Sequence, residues 1–215
     1  MPRLVAVADW STVASLATAA GTLVLATATF AAVRSSNRAA RAAEESLLHG
    51  LRPLLVPSRL DDPPQKVGFA DGKWVQADGS GGAAEVTDEG IYLAVSVRNV
   101  GSGIAVLHGW HFYPEWAPTE EQTPLDDFTR LTRDLYIPPG DIGFWQGVFR
   151  DSTSPEFAAA KGTIDARRRC MVDVLYGDYQ GGQRVVSRFG LIPKNDGGWL
   201  AAVGRHWNID RAEPR

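Results

Sequence analysis

Residues 91–113 read IYLAVSVRNVGSGIAVLHGWHFY and contain two strand-like runs that are joined by a glycine-rich turn. Large apolar residues occupy every second position from Ile91 to Val97. Because alternate side chains of a strand point to the same face, this pattern predicts a strand with one apolar face over residues 91–98. The run over residues 104–113 is apolar at both parities, which predicts a central strand covered on both faces.

The turn between the two runs is Asn99-Val100-Gly101-Ser102-Gly103. Glycine adopts a positive φ without steric cost, and asparagine is common in tight turns. The sequence therefore predicts a turn in which Gly101 and Gly103 provide the positive φ angles.

Several other segments have the length and boundaries of strands. Asp71-Gly72, a strong two-residue hairpin signal, separates residues 67–70 from residues 73–76. The remaining predicted strands are residues 53–57 at a sheet edge, 133–137, 142–149, 170–176, 183–192 and 198–203. We predict that seven to nine of these segments form strands, and their spacing predicts an antiparallel β-sandwich or barrel over residues 53–215.

Three shorter segments interrupt the strand pattern. Ser154-Pro155-Glu156 has the cap-then-proline form of a helix start, and Thr123-Pro124 has the same form. Residues 78–82 are glycine-rich and are predicted to be disordered. Residues 114–127 form a long segment with five acidic and no basic residues, which is typical of a functional or a mobile loop.

Residues 10–33 contain no charged side chain, and Asp9 and Arg34 bound them. A helix needs about 20 such residues to cross a bilayer. This stretch predicts a transmembrane helix after a short tail, residues 1–9. A cleaved signal peptide and a buried helix of a soluble domain are the alternatives. A signal peptide carries its positive charge ahead of the apolar run, whereas here Arg34, Arg38 and Arg41 follow it. A helix of a soluble domain that lies on a surface has a polar stripe, and this stretch has none.

Residues 34–52 continue the helical pattern past the apolar stretch as a juxtamembrane stalk. No Pro or Gly occurs between residues 34 and 49, and Gly50 is a natural terminator. Within the span, Ala17 and Gly21 lie four residues apart, a spacing that lets helices approach closely and associate. An alanine-rich composition also accounts for these small residues.

Arginines set the expected orientation of this helix. One Lys or Arg precedes the span and four follow it by residue 52. The positive-inside rule then places the amino terminus outside and residues 34–215 in the cytoplasm. The side chains predicted to lie at the membrane interface are Trp10, Arg34, Arg38 and Arg41.

Composition excludes some classes of partner and site. The formal charge of −3 provides no positive field for a nucleic acid. The single cysteine, Cys170, excludes an internal disulfide framework and a Cys-rich zinc site. It follows three arginines, which would favour a reactive thiol, although a lone cysteine at a strand start is more often a small core residue.

The sequence contains no assembled catalytic signature. It has no nucleophile elbow, no phosphate-binding loop and no dinucleotide fingerprint, so we predict no catalytic residue, no metal site and no cofactor. Asp173 lies in the middle of a predicted strand. It either faces solvent or is a buried partner of Arg184 or Arg188.

Four aromatic or imidazole side chains are candidates for contact with a partner or a ligand. His108 and His111 lie three apart on a predicted strand, so they should point to opposite faces and not chelate one ion. Trp116 lies in the acidic segment and Trp207 in the charged tail, where burial in the core is least expected. Exposed tryptophans are enriched in interfaces.

The sequence Asn99-x-Gly101-x-Gly103-x-Ala105 after an alternating strand resembles the corresponding turn of bacterial immunoglobulin-like β-sandwich domains. The whole layout is similar to uncharacterised single-pass membrane proteins of high-GC Gram-positive bacteria. This resemblance implies an immunoglobulin-like fold and a membrane location, and it implies no activity.

These observations favour a membrane-anchored, non-catalytic module for protein interaction or scaffolding at the cytoplasmic face of the membrane. A membrane or cytoplasmic protein would be its partner. The alternatives are a β-sandwich that binds a small ligand, such as a sugar or a lipid, and a hydrolase whose active-site residues are scattered in sequence.

Overall fold

The structure is a computed structural model that describes residues 9–116 and 121–210. The chain divides near residue 47 into a helical unit and a β unit.

The helical unit is α1, Trp10–Gly50, a single helix of 41 residues. It begins after Asp9, whose side-chain carboxylate accepts hydrogen bonds from the backbone N–H and the hydroxyl of Ser11. This is the usual role of an N-cap residue. The segment Trp10–Glu44 is long and apolar enough to cross a membrane, and none of its most apolar window is buried. The predicted continuous helix, which was expected to end near residue 49, is confirmed.

Hydroxyl groups inside this apolar helix are satisfied by the helix itself. Thr18 Oγ1 donates to the carbonyl of Ala14 at 2.9 Å, and Thr22 Oγ1 donates to the carbonyl of Thr18 at 2.8 Å. Because these bonds leave no hydroxyl proton without an acceptor, the threonines cost less free energy in an apolar environment than their composition suggests.

The β unit contains eleven strands in the described residues and one further α-helix. The strands are β1 (Leu55–Pro57), β2 (Gln65–Gly68), β3 (Trp74–Ala77), β4 (Gly81–Thr87), β5 (Gly90–Asn99), β6 (Ala105–Tyr113), β7 (Thr129–Ile137), β8 (Ile142–Phe149), β9 (Cys170–Gly177), β10 (Val185–Pro193) and β11 (Trp199–Asn208). The helix is α2, Pro155–Asp165, between β8 and β9.

Nine of the strands form one curled antiparallel sheet. Its hydrogen-bonded order is β1–β5–β4–β11–β10–β9–β6–β7, β8 lies on the other edge of β5, and β2 and β3 form a separate hairpin. Side chains from β5 and β8 share one buried core with side chains from β9 and β10, including Val95, Trp145, Val172 and Phe189. The predicted mainly β, antiparallel architecture is confirmed, and the immunoglobulin-like connectivity stays a prediction.

Strand β5 is buried on both faces. Its odd-numbered residues, such as Leu93 and Val95, enter the main core. Tyr92 and Ala94 belong to a second cluster, which the β2–β3 hairpin covers. The predicted apolar alternation is therefore present, and the hairpin explains why the opposite face is also dry.

Strand β4 joins the two halves of the sheet. It pairs with β5 along its length, and Gly81 and Gly82 also pair with β11. The prediction of disorder over residues 78–82 is wrong, because Gly82 is buried where two strands approach closely. A Cβ atom at Gly82 would lie 2.7 Å from the side chain of Leu191 and 2.8 Å from the carbonyl oxygen of Ala94.

Both predicted helix starts lead into helical turns. Ser154 caps α2 by accepting a hydrogen bond from the backbone N–H of Phe157 at 3.1 Å. Thr123-Pro124 precedes only a short 3₁₀ turn, Leu125–Asp127. Three residues are too few to make an α-helix.

Asn99 closes the end of the sheet that receives the chain from α1. Its side-chain Nδ2 donates to the carbonyls of Gly103 at 2.7 Å and Ile137 at 2.9 Å. Its Oδ1 accepts from the backbone N–H groups of Leu54 at 3.2 Å and Gly101 at 3.0 Å. This fully buried amide thus uses both of its donors and both lone pairs of its acceptor.

Gly101 and Gly103 have a different role from the one predicted. Neither residue has a positive φ, so the prediction of left-handed backbone is wrong. A Cβ atom at Gly103 would lie 1.6 Å from the carbonyl oxygen of Leu51, and one at Gly101 would lie 2.4 Å from that of Arg52. The glycines are needed because the chain that leaves α1 passes directly over them, with the N–H of Ser102 donating to the Arg52 carbonyl at 3.0 Å.

We predict that Gly103→Ala lowers the free energy of unfolding of the β unit by about 2–3 kcal/mol, since the new methyl group meets backbone rather than a movable side chain. Gly162→Ala in α2 is the matched control. No heavy atom lies within 4 Å of its Cβ position, so it should stabilise the protein by about 0.5–1 kcal/mol. Denaturant unfolding of the purified protein measures both changes, and equal effects of the two substitutions would contradict the close approach at Gly103.

Candidate functional site

A row of polar side chains crosses the face of the sheet that points away from the core. His111 pairs with Asp173, Asp173 with Arg188, and Arg188 with Arg205 across β6, β9, β10 and β11. Residues directly opposite each other in paired strands point to the same face. Since Val172, the neighbour of Asp173, belongs to the core, this row lies on the outer face.

Asp173 and Arg188 form a buried ion pair at the centre of this row. Arg188 Nε lies 2.7 Å from Asp173 Oδ1, and Arg188 Nη2 lies 2.7 Å from Asp173 Oδ2. The side chain of Arg188 is 6% exposed and that of Asp173 is 0% exposed. The expectation that Asp173 faces solvent is wrong, and the alternative of a buried pair with Arg188 is confirmed. Arg184 instead pairs with Asp210 at 2.7 Å.

The charge on Arg188 is well supported. Burial disfavours the charged guanidinium, but the hydrogen bonds and negative charge of Asp173 outweigh burial and raise the pKa of Arg188 above its ordinary value. The guanidinium also lies over the rings of Tyr113 and Trp207, each with a centroid 4.8 Å away. Arg205 lies 5.3 Å from the Trp207 ring centroid. Stacking of this kind stabilises a desolvated cation.

Trp207 is not the exposed tail residue that its sequence position suggested. It is only 4% exposed, because β11 continues five residues past its predicted end at residue 203. The arginines around Trp207 gave the segment the composition of a solvated tail. In the fold, Arg188 and Arg205 stack on its ring instead.

The described part of the acidic segment packs onto this outer face. Thr123 Oγ1 donates to Asp173 Oδ2 at 2.5 Å and lies 2.7 Å from the hydroxyl of Tyr113. Thr123 is 1% exposed. Arg188 Nη2 donates to the carbonyl of Glu121 at 3.4 Å. The ion pair therefore fixes residues 121–123 to the sheet.

Trp116 rests on the same face and remains partly exposed. Its ring tip lies 2.2 Å from the position that a Cβ atom would take at Gly190, so only a glycine allows this contact. The side chain is 42% exposed, in agreement with the expectation that it is not a core residue.

A β-bulge at His108 overturns the predicted arrangement of the two histidines. Between Leu107 and Gly109, β6 advances by two residues while its partner β9 advances by one, from Tyr176 to Leu175, which makes His108 an extra residue against β9. An extra residue resets the alternation of side chains. Both His108 and His111 therefore lie toward the outer face, where opposite faces were predicted.

The two histidines nevertheless line different cavities. His111 lines a cavity of about 580 Å³ beside β6 and α2, and its Nδ1 lies 3.0 Å from the carbonyl oxygen of Asp127. His108 lines a cavity of about 530 Å³ with Arg184 and Asp134. Burial and the nearby charge of Arg184 lower the pKa of His108, and Asp134 partly offsets them.

Two potential nucleophiles, Ser187 and Cys170, are enclosed. Ser187 Oγ lies 2.6 Å from His206 Nδ1, but Ser187 is fully buried and also contacts the hydroxyl of Tyr176 at 2.7 Å. That hydroxyl accepts a hydrogen bond from the backbone N–H of Leu55. Cys170 is buried as well, and burial raises the pKa of its thiol to about 12, which disfavours the reactive thiolate. The contacts of Ser187 and the burial of Cys170 are therefore structural features of the sheet.

The remaining predicted site residues concern metal binding and the membrane. Across residues 9–116 and 121–210, no group of three His, Cys, Asp or Glu side chains is placed to hold a metal ion. Trp10 is 79% exposed on α1. The other residues assigned to the membrane, which are also exposed on this helix, are Arg34, Arg38, Arg41, Ala17 and Gly21. Their lipid and helix contacts stay predictions.

Comparison with known proteins adds no functional assignment. No protein-family model matches the chain, and no curated protein matches it.

Sequence reasoning missed Tyr113 and Thr123 as members of the outer-face cluster. Nothing in the sequence around Tyr113 or Thr123 indicates a contact with the ion pair, because only the tertiary fold brings these residues to it. The ion pair itself left a signal in the sequence. Asp173 is the only charged residue in MVDVL, and Arg188 is the only charged residue in VVSRF. A lone charge in an apolar strand requires a partner when it is buried.

We predict that Arg188→Met lowers the free energy of unfolding by about 3–5 kcal/mol, since it leaves the Asp173 carboxylate buried without its cation. The double variant Arg188→Met/Asp173→Leu should recover most of this loss. Lys161→Ala, which removes an exposed pair with Asp165, is the control and should change stability by less than about 0.5 kcal/mol. Urea unfolding measures all three, and a double variant no more stable than Arg188→Met would refute the assignment.

Proposed function

We propose that this protein is a membrane-anchored, non-catalytic interaction module whose β unit lies at the cytoplasmic face. The observation that carries the proposal is the exposure of α1. Its segment Trp10–Glu44 presents apolar side chains, and none of its most apolar window is covered. Since water disfavours so much contiguous apolar surface, a lipid bilayer is the environment that suits this helix.

The enclosed nucleophiles support a non-catalytic role. Ser187 and Cys170 are fully buried, so neither can meet a substrate without unfolding of the sheet. A hydrolase would need its nucleophile in a cavity that the substrate can enter. A binding module only needs a stable scaffold with an accessible surface.

Trp116 and the acidic side chains near it are the proposed contact surface for a protein partner. Among the described residues of this segment, Trp116 packs against Gly190 and the buried Thr123 bonds to Asp173, so these two residues are held on the sheet. A partly exposed tryptophan is a frequent interface anchor. With Glu115, Glu121, Asp126 and Asp127 in the same segment, the partner surface would be basic.

The orientation belongs to the proposal. Arg34, Arg38 and Arg41 follow the apolar stretch, and one basic residue precedes it. Under the positive-inside rule the β unit is cytoplasmic. The immunoglobulin-like connectivity and the relationship to bacterial single-pass proteins, which the Asn99 turn supports, complete this account.

Binding of a small ligand is the second candidate function. The cavity beside His111 is its specific support, because about 580 Å³ lies within the range of small-molecule sites.

Variants with one added cysteine test the location and the contact surface together. Buried Cys170 should stay silent, so a new thiol reports its own position. We predict that a membrane-impermeant maleimide labels Ala6→Cys in intact cells and labels Asp88→Cys only after permeabilisation. With a photoactivatable maleimide in native membranes, Glu115→Cys beside Trp116 should form a discrete protein adduct, and Asp88→Cys should not.

The contradictory outcomes differ for each part of the proposal. A chain that stays in the supernatant without detergent would exclude the membrane anchor. Labelling of Asp88→Cys in intact cells would reverse the orientation. Adducts that form equally at positions 88 and 115 would remove the contact surface at Trp116.

A further inference from the structure

The cavity beside α2 has a wall of packed aromatic rings. It lies between the part of β6 that extends past its pairing with β7 and the first turn of α2. The rings of Trp110 and Phe149 meet edge to face with centroids 5.0 Å apart, and those of Phe112 and Phe149 meet at 5.6 Å. Trp110 is 4% exposed, and Phe112 and Phe149 are half-buried.

The lining of this cavity contains two carboxylates and the imidazole of His111. Asp127 and Glu156 line it, and none of the described residues that line it is Lys or Arg. The amino terminus of α2 adds about half a positive charge, and the two carboxylates exceed that contribution. The carboxylates therefore leave the cavity with an excess of negative charge.

Aromatic walls and carboxylates together select a particular chemistry. Ring faces attract cations, and carboxylates attract them at longer range. An anion would meet two like charges, and a neutral apolar molecule would leave the carboxylates without a partner. A small organic ammonium satisfies both features, because its hydrocarbon groups contact the rings and its charge faces the carboxylates.

We propose that this cavity is a binding site for a small organic ammonium ion. The proposal rests on the second candidate function and names its ligand class. It rests on different observations from the protein contact surface at Trp116, and Asp127 is the one acidic residue that both proposals include.

The test compares a cation with its uncharged counterpart of the same shape. Choline is the probe, and 3,3-dimethyl-1-butanol, in which carbon replaces the quaternary nitrogen, is the isosteric control. Glucose probes the alternative of a sugar site. Each is titrated calorimetrically into the full-length protein in a non-ionic detergent.

Two charge variants and a distant control tie binding to the cavity. Glu156→Gln and Asp127→Asn remove one lining carboxylate each without changing shape. Asp61→Asn removes an exposed carboxylate from the β1–β2 connection, near the end of β5 that is farther from the cavity. Circular dichroism melts check that each variant is folded. Two separate charge variants keep the test decisive if one of them does not fold.

We expect choline to bind with a Kd of about 1 mM or tighter, and the isostere to bind at least about tenfold more weakly. Glu156→Gln and Asp127→Asn should each weaken choline binding about fivefold, and Asp61→Asn should leave it unchanged. Equal binding of choline and its isostere, or absence of choline binding, would overturn the proposal. Glucose binding without choline binding would also overturn it, while leaving the ligand-binding function in place.

Discussion

The buried side-chain amide of Asn99 is the constraint on which the rest of the β unit depends. It joins the chain that leaves α1, the turn after β5 and the end of β7 through four hydrogen bonds. One such bond contributes only about 1 kcal/mol net, but a buried group left without its partner costs about 1–3 kcal/mol. An alternative path for the chain at residue 54 would leave several buried polar groups without hydrogen-bond partners at once. Close approach over Gly101 and Gly103 is the consequence, because only residues without Cβ leave room for the incoming backbone.

A second polar cluster organises the outer face of the sheet. The Asp173–Arg188 pair is buried, yet it lies outside the apolar core, and Thr123 covers it. Buried ion pairs add little to stability compared with apolar packing, although loss of one partner is costly. We therefore assign the pair a role in specificity, because it holds residues 121–123 of the acidic segment against the sheet. The same segment carries Trp116, so the cluster links the fold to the proposed contact surface.

The sequence predicted those features that local patterns control and failed where distant strands meet. Alternation along β5 and the cap at Ser154 were both visible, since each depends on neighbours in sequence. Strand β4 was missed because its glycines have the composition of a loop. These glycines are needed only because β4 pairs with both β5 and β11. The bulge at His108 was invisible, because one extra residue changes no composition and yet resets the face of every residue that follows. The buried state of Trp207 likewise depended on arginines that pattern rules assign to solvent.

Native-state hydrogen exchange of the full-length protein tests the Asn99 constraint most directly. If Asn99 locks the incoming chain to the sheet, the backbone amides of Leu54 and Gly101, which donate to its Oδ1, should exchange about as slowly as the amide of Val172 in the core. Exchange of the Leu54 amide as fast as that of exposed Asp61, while the Val172 amide stays protected, would show that the chain after α1 moves freely. That result would contradict the role of Asn99 as the lock between the incoming chain and the sheet.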